Sequence, residues 1–375
     1  MTQDVALDRL KILMGYLDSD PTNPNLLRDA AYAALDANDP AAAGGLFFRL
    51  EETDTLSDED INHAGIAAMR SGDQPRAKKL FTTLLDKHPE DSGLKFNLAW
   101  NAALAKDFDG AQTFLDKATI DALPQAAMLD LQLRHDRGDF DGAAEVAKDY
   151  LQMHGSYPPL LAAISVLAMD IEDEELARDM AVRAGNHPDA LTTLGSLTLG
   201  EQKTEEARGM FEQALAANPN SPRAWIGLGL TNMSSGDNMQ AVSQLDKGAE
   251  MFGDHLGSWI AAGWGYFIAG DIETARARFE KALALDDTFA ESHGSLAVVD
   301  ILQGERASGE RHLEIARRLD RNCFSAAFAQ ILLASSDGDP EKAQRIFELA
   351  IKQPIDARGR TIADALGSLA MSGRS

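Results

Sequence analysis

The chain of 375 residues contains a single cysteine, so the sequence excludes an intrachain disulfide. That residue, Cys323, stands between Asn322 and Phe324 near the start of a predicted helix. Nothing nearby indicates an activated thiol. A structural role is therefore expected for this side chain.

Long apolar runs are also missing. The most apolar stretch, Trp259–Gly270, is too short to span a bilayer. The N-terminal segment lacks the basic start, apolar core and small-residue cleavage site of a signal peptide. The sequence therefore predicts a cytoplasmic protein that does not enter a membrane.

Basic residues are few, because 35 Lys and Arg stand against 59 Asp and Glu and leave a formal net charge of −24. Such a surface repels phosphate backbones and anionic lipid, so we expect neither nucleic acid nor a membrane as partner. A basic or amphipathic protein segment is favoured. The alternative is that the charge only keeps the chain soluble.

Catalytic and metal-binding motifs are absent from the sequence. The eight histidines are scattered, and none forms an HExxH pair or a His/Cys cluster with ligand spacing. Gly227 and Gly229 lack the third glycine of a dinucleotide loop, and no Walker A sequence is present. We therefore expect no enzymatic activity, no cofactor and no metal.

The strongest pattern in the chain is Leu256–Asp287, which predicts two helices joined by a turn at Gly270-Asp271. Each helix carries small and large apolar residues that share one face at 3.6 residues per turn. Small residues allow close helix approach, and the large ones fill the space between the helices. The residues are Trp259, Ala262, Gly263 and Tyr266 in the first helix, and Ala275, Phe279 and Ala282 in the second.

The same pattern recurs at steps of 34 residues on both sides, and this period is typical of one family. The chain resembles tetratricopeptide repeat proteins over nearly its whole length. The resemblance implies an all-α, right-handed superhelical solenoid of about ten helical hairpins, with N- and C-terminal capping helices. Repeats and caps account for the chain as far as Met371, which leaves no room for a catalytic domain.

Two domains are expected. Residues 1–157 would form an N-terminal cap helix and about four repeats, and residues 158–375 about six repeats and a cap helix over 359–371. Gly155, Pro158 and Pro159 interrupt any continuous helix between them. This segment predicts a bend; the alternative is one irregular repeat that packs in line. The expected core residues of the first cap are Val5, Leu7, Leu10, Ile12, Leu13 and Leu17.

In the family that the chain resembles, the first helix of each hairpin lines a concave groove. The groove positions of the N-terminal half are mixed and polar, whereas those of the C-terminal half are mostly apolar, which suits a peptide or an amphipathic helix. We expect Trp264 and Phe267 to face this groove rather than to pack within their hairpin. The candidate partner-binding residues are Ile226, Leu230, Met233, Ile260, Trp264, Phe267, Val298, Ile301, Phe328 and Leu332.

The leading functional prediction is a non-enzymatic adaptor for protein–protein interaction, with a protein or peptide held in the groove. One alternative is a chaperone or assembly factor for a secretion, pilus or envelope system. Another is a structural subunit that self-associates; the sequence leaves the oligomeric state open. The groove residues themselves also have an alternative role, which is to pack against adjacent first helices or the C-terminal cap.

Overall fold

The computed structural model describes residues 3–53, 56–236 and 238–352. Within these ranges the chain forms twenty-two α-helices and no strand. In chain order they are α1 (Gln3–Leu17), α2 (Pro24–Asp36), α3 (Pro40–Glu51), α4 (Asp58–Arg70), α5 (Gln74–Lys87), α6 (Ser92–Leu104), α7 (Phe108–Phe114), α8 (Lys117–Ala122), α9 (Pro124–Asp136), α10 (Phe140–His154), α11 (Pro158–Asp170), α12 (Glu174–Ala184), α13 (Pro188–Gly200), α14 (Thr204–Ala217), α15 (Pro222–Ser234), α16 (Asn238–Phe252), α17 (Leu256–Ala269), α18 (Ile272–Leu285), α19 (Ala290–Leu302), α20 (Arg306–Leu319), α21 (Phe324–Ser336) and α22 (Pro340–Ala350).

Helix α1 is followed by ten helical hairpins within the described ranges, and the third hairpin has its second helix split into α7 and α8. The predicted all-α hairpin repeat is thereby confirmed. The capping helix expected over 359–371 lies outside the described residues.

The hairpin turns are built alike. In each of the ten, one residue between the two helices takes a positive φ, which ends the first helix in a left-handed conformation. At seven of them the next residue is an aspartate whose carboxylate accepts a backbone N–H of the second helix, as Asp271 does from Thr274 at 3.0 Å. The left-handed residues are Asn38, Gly72, Lys106, Gly138, Glu172, Gln202, Gly236, Gly270, Gly304 and Gly338.

Small and large residues interlock between the two helices of a hairpin, as the sequence predicts. A methyl group on Gly263 would lie 2.3 Å from the ring of Phe279, whose side chain is fully buried. The α17–α18 contact therefore needs glycine on one side and an aromatic ring on the other. The same pairing joins Gly195 to Phe211 in α13–α14, where the corresponding distance is 2.8 Å.

The N-terminal cap α1 buries one narrow stripe, formed by Ala6, Leu10, Leu13 and Leu17 at spacings of three and four residues. The expectation that Val5, Leu7 and Ile12 belong to the core is wrong. These side chains are 53%, 37% and 58% exposed, because they lie on the other faces of the helix.

The third hairpin departs from the predicted continuous second helix. α7 ends at Phe114, and Asp116 begins α8 by accepting the backbone N–H of Thr119 at 2.8 Å. An ion pair of 2.8 Å with Lys95 in α6 holds the same carboxylate and lowers its pKa to about 2. A helix start within the expected helix therefore accounts for the break.

Two compact units divide the chain, Met1–Leu160 and Leu161–Ser375. The first has a continuous core over α1 to α5, with Phe47 and Leu50 fully buried. The second has a core around α16 to α19 that includes the fully buried Phe279. The domain boundary expected after residue 157 stays a prediction.

Candidate partner-binding site

A cavity of about 440 Å³ opens in the second unit, between the first helices of four consecutive hairpins. Its walls come from α11, α13, α15 and α17, with one ring from α14 and one from α16. One part of the lining is apolar and the other carries hydroxyl and charged groups. The apolar part is formed by Val166, Met169, Leu199, Phe211, Ile226, Leu230 and Phe252.

Helix α13 gives the cavity its polar wall. Asp189, Thr192 and Ser196 lie at spacings of three and four residues, so they form one stripe along the helix. The hydroxyl of Thr192 donates to the Pro188 carbonyl at 2.9 Å, and that of Ser196 donates to the Thr192 carbonyl at 3.0 Å. Both hydroxyl protons are thus used within the helix, and the oxygens face other groups as acceptors.

An ion pair joins α11 to α15 at the edge of the cavity. The guanidinium of Arg223 lies 3.0 Å from the carboxylate of Asp170, a residue 53 positions earlier in the chain. The side chains are 41% and 28% exposed, so this pair is screened by solvent and contributes little to stability. The pair nevertheless places one positive and one negative group together in the lining of the cavity.

His255 adds a polar ring to the cavity at the start of α17. Its Nδ1 accepts the backbone N–H of Ser258 at 3.1 Å, which leaves the ring proton on Nε2. Burial lowers the pKa of His255, and the positive charge of Arg223 lowers it further. The ring is therefore neutral at physiological pH.

The predicted partner-binding residues fall into separate groups. Ile226 and Leu230 line the cavity and also pack against the core around Phe279. Met233, one turn beyond Leu230, is partly buried against the core around Phe279.

Trp264 is at the centre of a second group, which is formed by aromatic side chains from α17, α18 and α21. Its ring centroid lies 5.1 Å from that of Phe267, 5.5 Å from Phe279 and 6.1 Å from Phe328. The expectation that Trp264 does not pack within its hairpin is therefore wrong, since Phe279 belongs to α18. Ile301, Phe328 and Leu332 pack against the same core from α19 and α21.

Two further candidates are buried. Val298 has no exposed surface and Ile260 is only 9% exposed. Helix α19, which carries Val298, is buried along most of its length. Neither side chain has surface to offer a partner in this structure.

Two segments of the chain match models of the tetratricopeptide repeat, residues 63–127 and residues 198–258. Each segment covers one described hairpin and parts of its neighbours, with the turn geometry found throughout the chain. The chain is a tetratricopeptide repeat protein. Such repeats form scaffolds for protein–protein interaction.

This repeat protein is similar to the type IV pilus assembly protein PilF of Pseudomonas aeruginosa, with 28% identity over 156 residues. The match covers 36% of this chain and 60% of the relative. The chain thus spans less than two thirds of the length of the curated relative that it matches.

Two solved structures are similar to this chain. A human IFIT1 dimer with PPP-AAAA matches with a TM-score of 0.54 and 12% identity, and the match covers 88% of this chain and 90% of that chain. The structure of Pseudomonas aeruginosa PilF matches with a TM-score of 0.45 and 16% identity over 56% of this chain and 98% of that chain. At such identities the IFIT1 match shows a shared helical-repeat fold and no shared function.

Most of the residues that line the cavity were not predicted from the sequence, since Ile226 and Leu230 are the two candidates among them. Asp170, the α13 stripe and His255 were not candidates, because the candidates were apolar groove positions. The available signal was the stripe itself, since Asp189, Thr192 and Ser196 place three polar groups on one face of an otherwise apolar first helix.

The part of the chain that the structure describes brings together no group of three or more His, Cys, Asp or Glu side chains that could hold a metal ion. Over the same residues, no helix combines the length and the apolar content needed to cross a bilayer.

Proposed function

We propose that this tetratricopeptide repeat protein is a non-enzymatic adaptor, which holds a segment of a protein partner in the cavity between α11, α13, α15 and α17. The observation that carries the proposal is the cavity of about 440 Å³ with apolar and polar walls. Its volume falls in the range of about 300–1,000 Å³ usual for binding pockets. Apolar walls with a few placed polar groups suit the anchor residue of a peptide.

The aromatic group around Trp264 is less accessible to a partner, which supports the choice of the cavity as the binding site. Trp264, Phe267 and Phe328 contact one another, so a partner would have to separate α17 from α21 before it could reach their faces. Ile226 and Leu230 need no such rearrangement, because they already border open space. The binding site proposed here therefore keeps these two of the ten candidate residues.

A cavity-filling substitution tests the proposal. Ser196→Trp places an indole in the cavity, whereas Glu212→Trp adds the same group to an exposed position on α14. Partners captured from the native source would be quantified by mass spectrometry for both variants, with thermal unfolding as a check on the fold. We expect Ser196→Trp to lose at least about tenfold of the captured partner, since an occupied cavity cannot accept an anchor.

Equal capture by the two tryptophan variants, at equal unfolding temperatures, would remove the cavity from the proposed function. The remaining explanation would then be a partner surface elsewhere on the repeats.

A second candidate function is an assembly factor for a pilus or related envelope system. The observation that favours it is the similarity to the type IV pilus assembly protein PilF. The client would be an aggregation-prone exported chain. Co-expression with each type IV pilus component of the native organism should raise the soluble fraction of one of them, and no change for any component would count against this candidate.

A further inference from the structure

We infer that the cavity between α11, α13, α15 and α17 selects a long basic side chain, lysine or arginine, from the bound segment. The inference rests on the proposed function, because it names the chemistry of the partner residue that enters the same cavity. It follows from three features of the lining: the acceptors along α13, the apolar residues and the balance of charge.

The polar wall offers acceptors rather than donors. The hydroxyls of Thr192 and Ser196 donate their protons within their own helix, so each oxygen can act toward a ligand only as an acceptor. Asp189 adds a carboxylate, 46% exposed, at the start of the same stripe. A ligand group that only donates hydrogen bonds is the match for such a wall, and ammonium and guanidinium groups are donors only.

The carboxylate of Asp189 has no proton donor in its histidine neighbour. His187 Nδ1 lies 3.8 Å from it, but that nitrogen already accepts the Asp189 backbone N–H at 3.4 Å. A nitrogen that accepts one hydrogen bond carries no proton to donate in another. A cation from outside would therefore gain a charge-assisted hydrogen bond at this carboxylate.

The apolar wall fits the stem of the same side chain. Leu199, Ile226 and Leu230 border the cavity and present aliphatic surface. Lysine and arginine bury three or four methylene groups along such surface while the charged end stays with polar groups. A short polar or acidic side chain would leave these walls uncovered.

The charge balance of the lining is negative. Asp170 and Asp189 carry two negative charges against the one positive charge of Arg223, and His255 is neutral because burial and Arg223 lower its pKa. An acidic ligand would have to draw Arg223 away from Asp170, its partner at 3.0 Å, and would then face Asp189. A basic ligand can meet the carboxylate of Asp189 and leave the pair of Arg223 and Asp170 intact.

Peptide pools with one fixed residue test the inference on the full chain. Fluorescein-labelled nonamers with random flanks would carry lysine, arginine, norleucine or glutamate at the centre, and binding would be followed by fluorescence anisotropy. Norleucine is the matched control, because it keeps the stem of lysine without its charge. We expect the lysine and arginine pools to bind about fivefold more tightly than norleucine at low salt, as one partly exposed charged hydrogen bond allows.

The substitution Asp189→Asn should bring the lysine and norleucine pools to equal affinity. Asp179→Asn in α12 makes the same charge change outside the cavity and should leave the preference intact. If norleucine binds as tightly as lysine to the unaltered chain, the inferred preference for a basic residue is wrong, while the proposal that the cavity binds a peptide stands. If no pool binds, or if Ser196→Trp binds every pool normally, the proposed cavity function fails as well.

Discussion

The second unit contains two stretches of the same repeat that use their first helices differently. From α11 to α15 the first helices leave a cavity lined by small hydroxyl residues such as Thr193 and Ser196. In the stretch from α17 to α21, here called the closed stretch, α19 lies close against α21, and Trp264 in α17 reaches Phe328 in α21, two hairpins later. The period is the same in both stretches, but the side chains that point inward are not.

The closed stretch depends on small residues in α19. Gly294 approaches α21 so closely that an added methyl would lie 2.8 Å from the backbone nitrogen of Ala326. Ser295 also reaches α21, where its hydroxyl donates to that of Ser325 at 3.2 Å. Close approach of α19 to α21 is what allows aromatic rings from α17 and α21 to meet. Small residues thus close one stretch, while in the other they leave the cavity open.

Removal of the Trp264 ring should change the packing of the closed stretch more than any other substitution considered. Trp264→Ala deletes three ring contacts and leaves a hole in the closed stretch, so we expect a loss of about 3–5 kcal/mol in the free energy of unfolding. Ile226→Ala, its counterpart beside the cavity, should cost about 1–2 kcal/mol, because the site already borders solvent. Urea unfolding followed by circular dichroism measures both. Equal losses would mean that the closed stretch is no better packed than the open one.

The close approach of α19 to α21 can be tested by one methyl group. Gly294→Ala places that methyl 2.8 Å from backbone and side-chain atoms of α21, which cannot both move aside. We expect a loss of about 1–3 kcal/mol, as for other overpacked contacts. Gly209→Ala in α14 is the matched control, since nothing lies within 4 Å of the added methyl there. It should gain about 0.5–1 kcal/mol from lower backbone entropy in the unfolded chain. A neutral Gly294→Ala would show that the two helices can separate at no cost.

The sequence was sufficient to predict the features that repeat from one hairpin to the next. The 34-residue step predicted the hairpins because each repeat buries the same face against its neighbours. Gly270 and Asp271 predicted their turn because the left-handed backbone and the helix cap are both local properties. His293 occupies the repeat position that Trp259 holds in the preceding hairpin. Its Nε2 lies 3.0 Å from the carbonyl of Asp287, six residues before it. Trp259 makes the same contact with the carbonyl of Gly253 at 2.9 Å.

The candidate site was harder to predict because it depends on distances between hairpins. Trp264 occupies a groove position, but whether the groove is open there depends on Gly294, which belongs to the next repeat. Likewise, Arg223 lies in α15, whereas its partner Asp170 lies 53 residues earlier. A one-repeat pattern carries no information on either separation. In similar repeat arrays, polar residues at first-helix positions are the sequence feature to examine for such a cavity.

Acid should weaken the closed stretch through His312. Burial lowers the pKa of His312, with His293, Arg311 and Arg276 adding to that effect and Asp300 opposing it. The unfolded chain therefore binds a proton at His312 more readily than the folded chain does. The stability that depends on a neutral His312 is present above about pH 6.5 and is lost as the pH falls below it. Urea midpoints at pH 7.5 and 5.5 should differ less for His312→Gln than for the unaltered chain. The same pH dependence in both would assign the acid sensitivity to other groups.

The smallest effect concerns Cys323, whose thiol reports directly on the closed stretch. The side chain is 3% exposed, and its sulfur would lie 2.9 Å from a methyl on Gly294. Burial raises the pKa of the thiol to about 12, and the charge of Glu291 adds to the rise. A thiol reagent at pH 8 should therefore modify the folded chain at least about 100-fold more slowly than the urea-unfolded chain, through rare local opening. Gly294→Ala should speed the reaction by forcing α19 and α21 apart, whereas Gly209→Ala should not. Rapid labelling of the unaltered chain would show that these helices separate readily, and the distinction between an open and a closed stretch would then have to be given up.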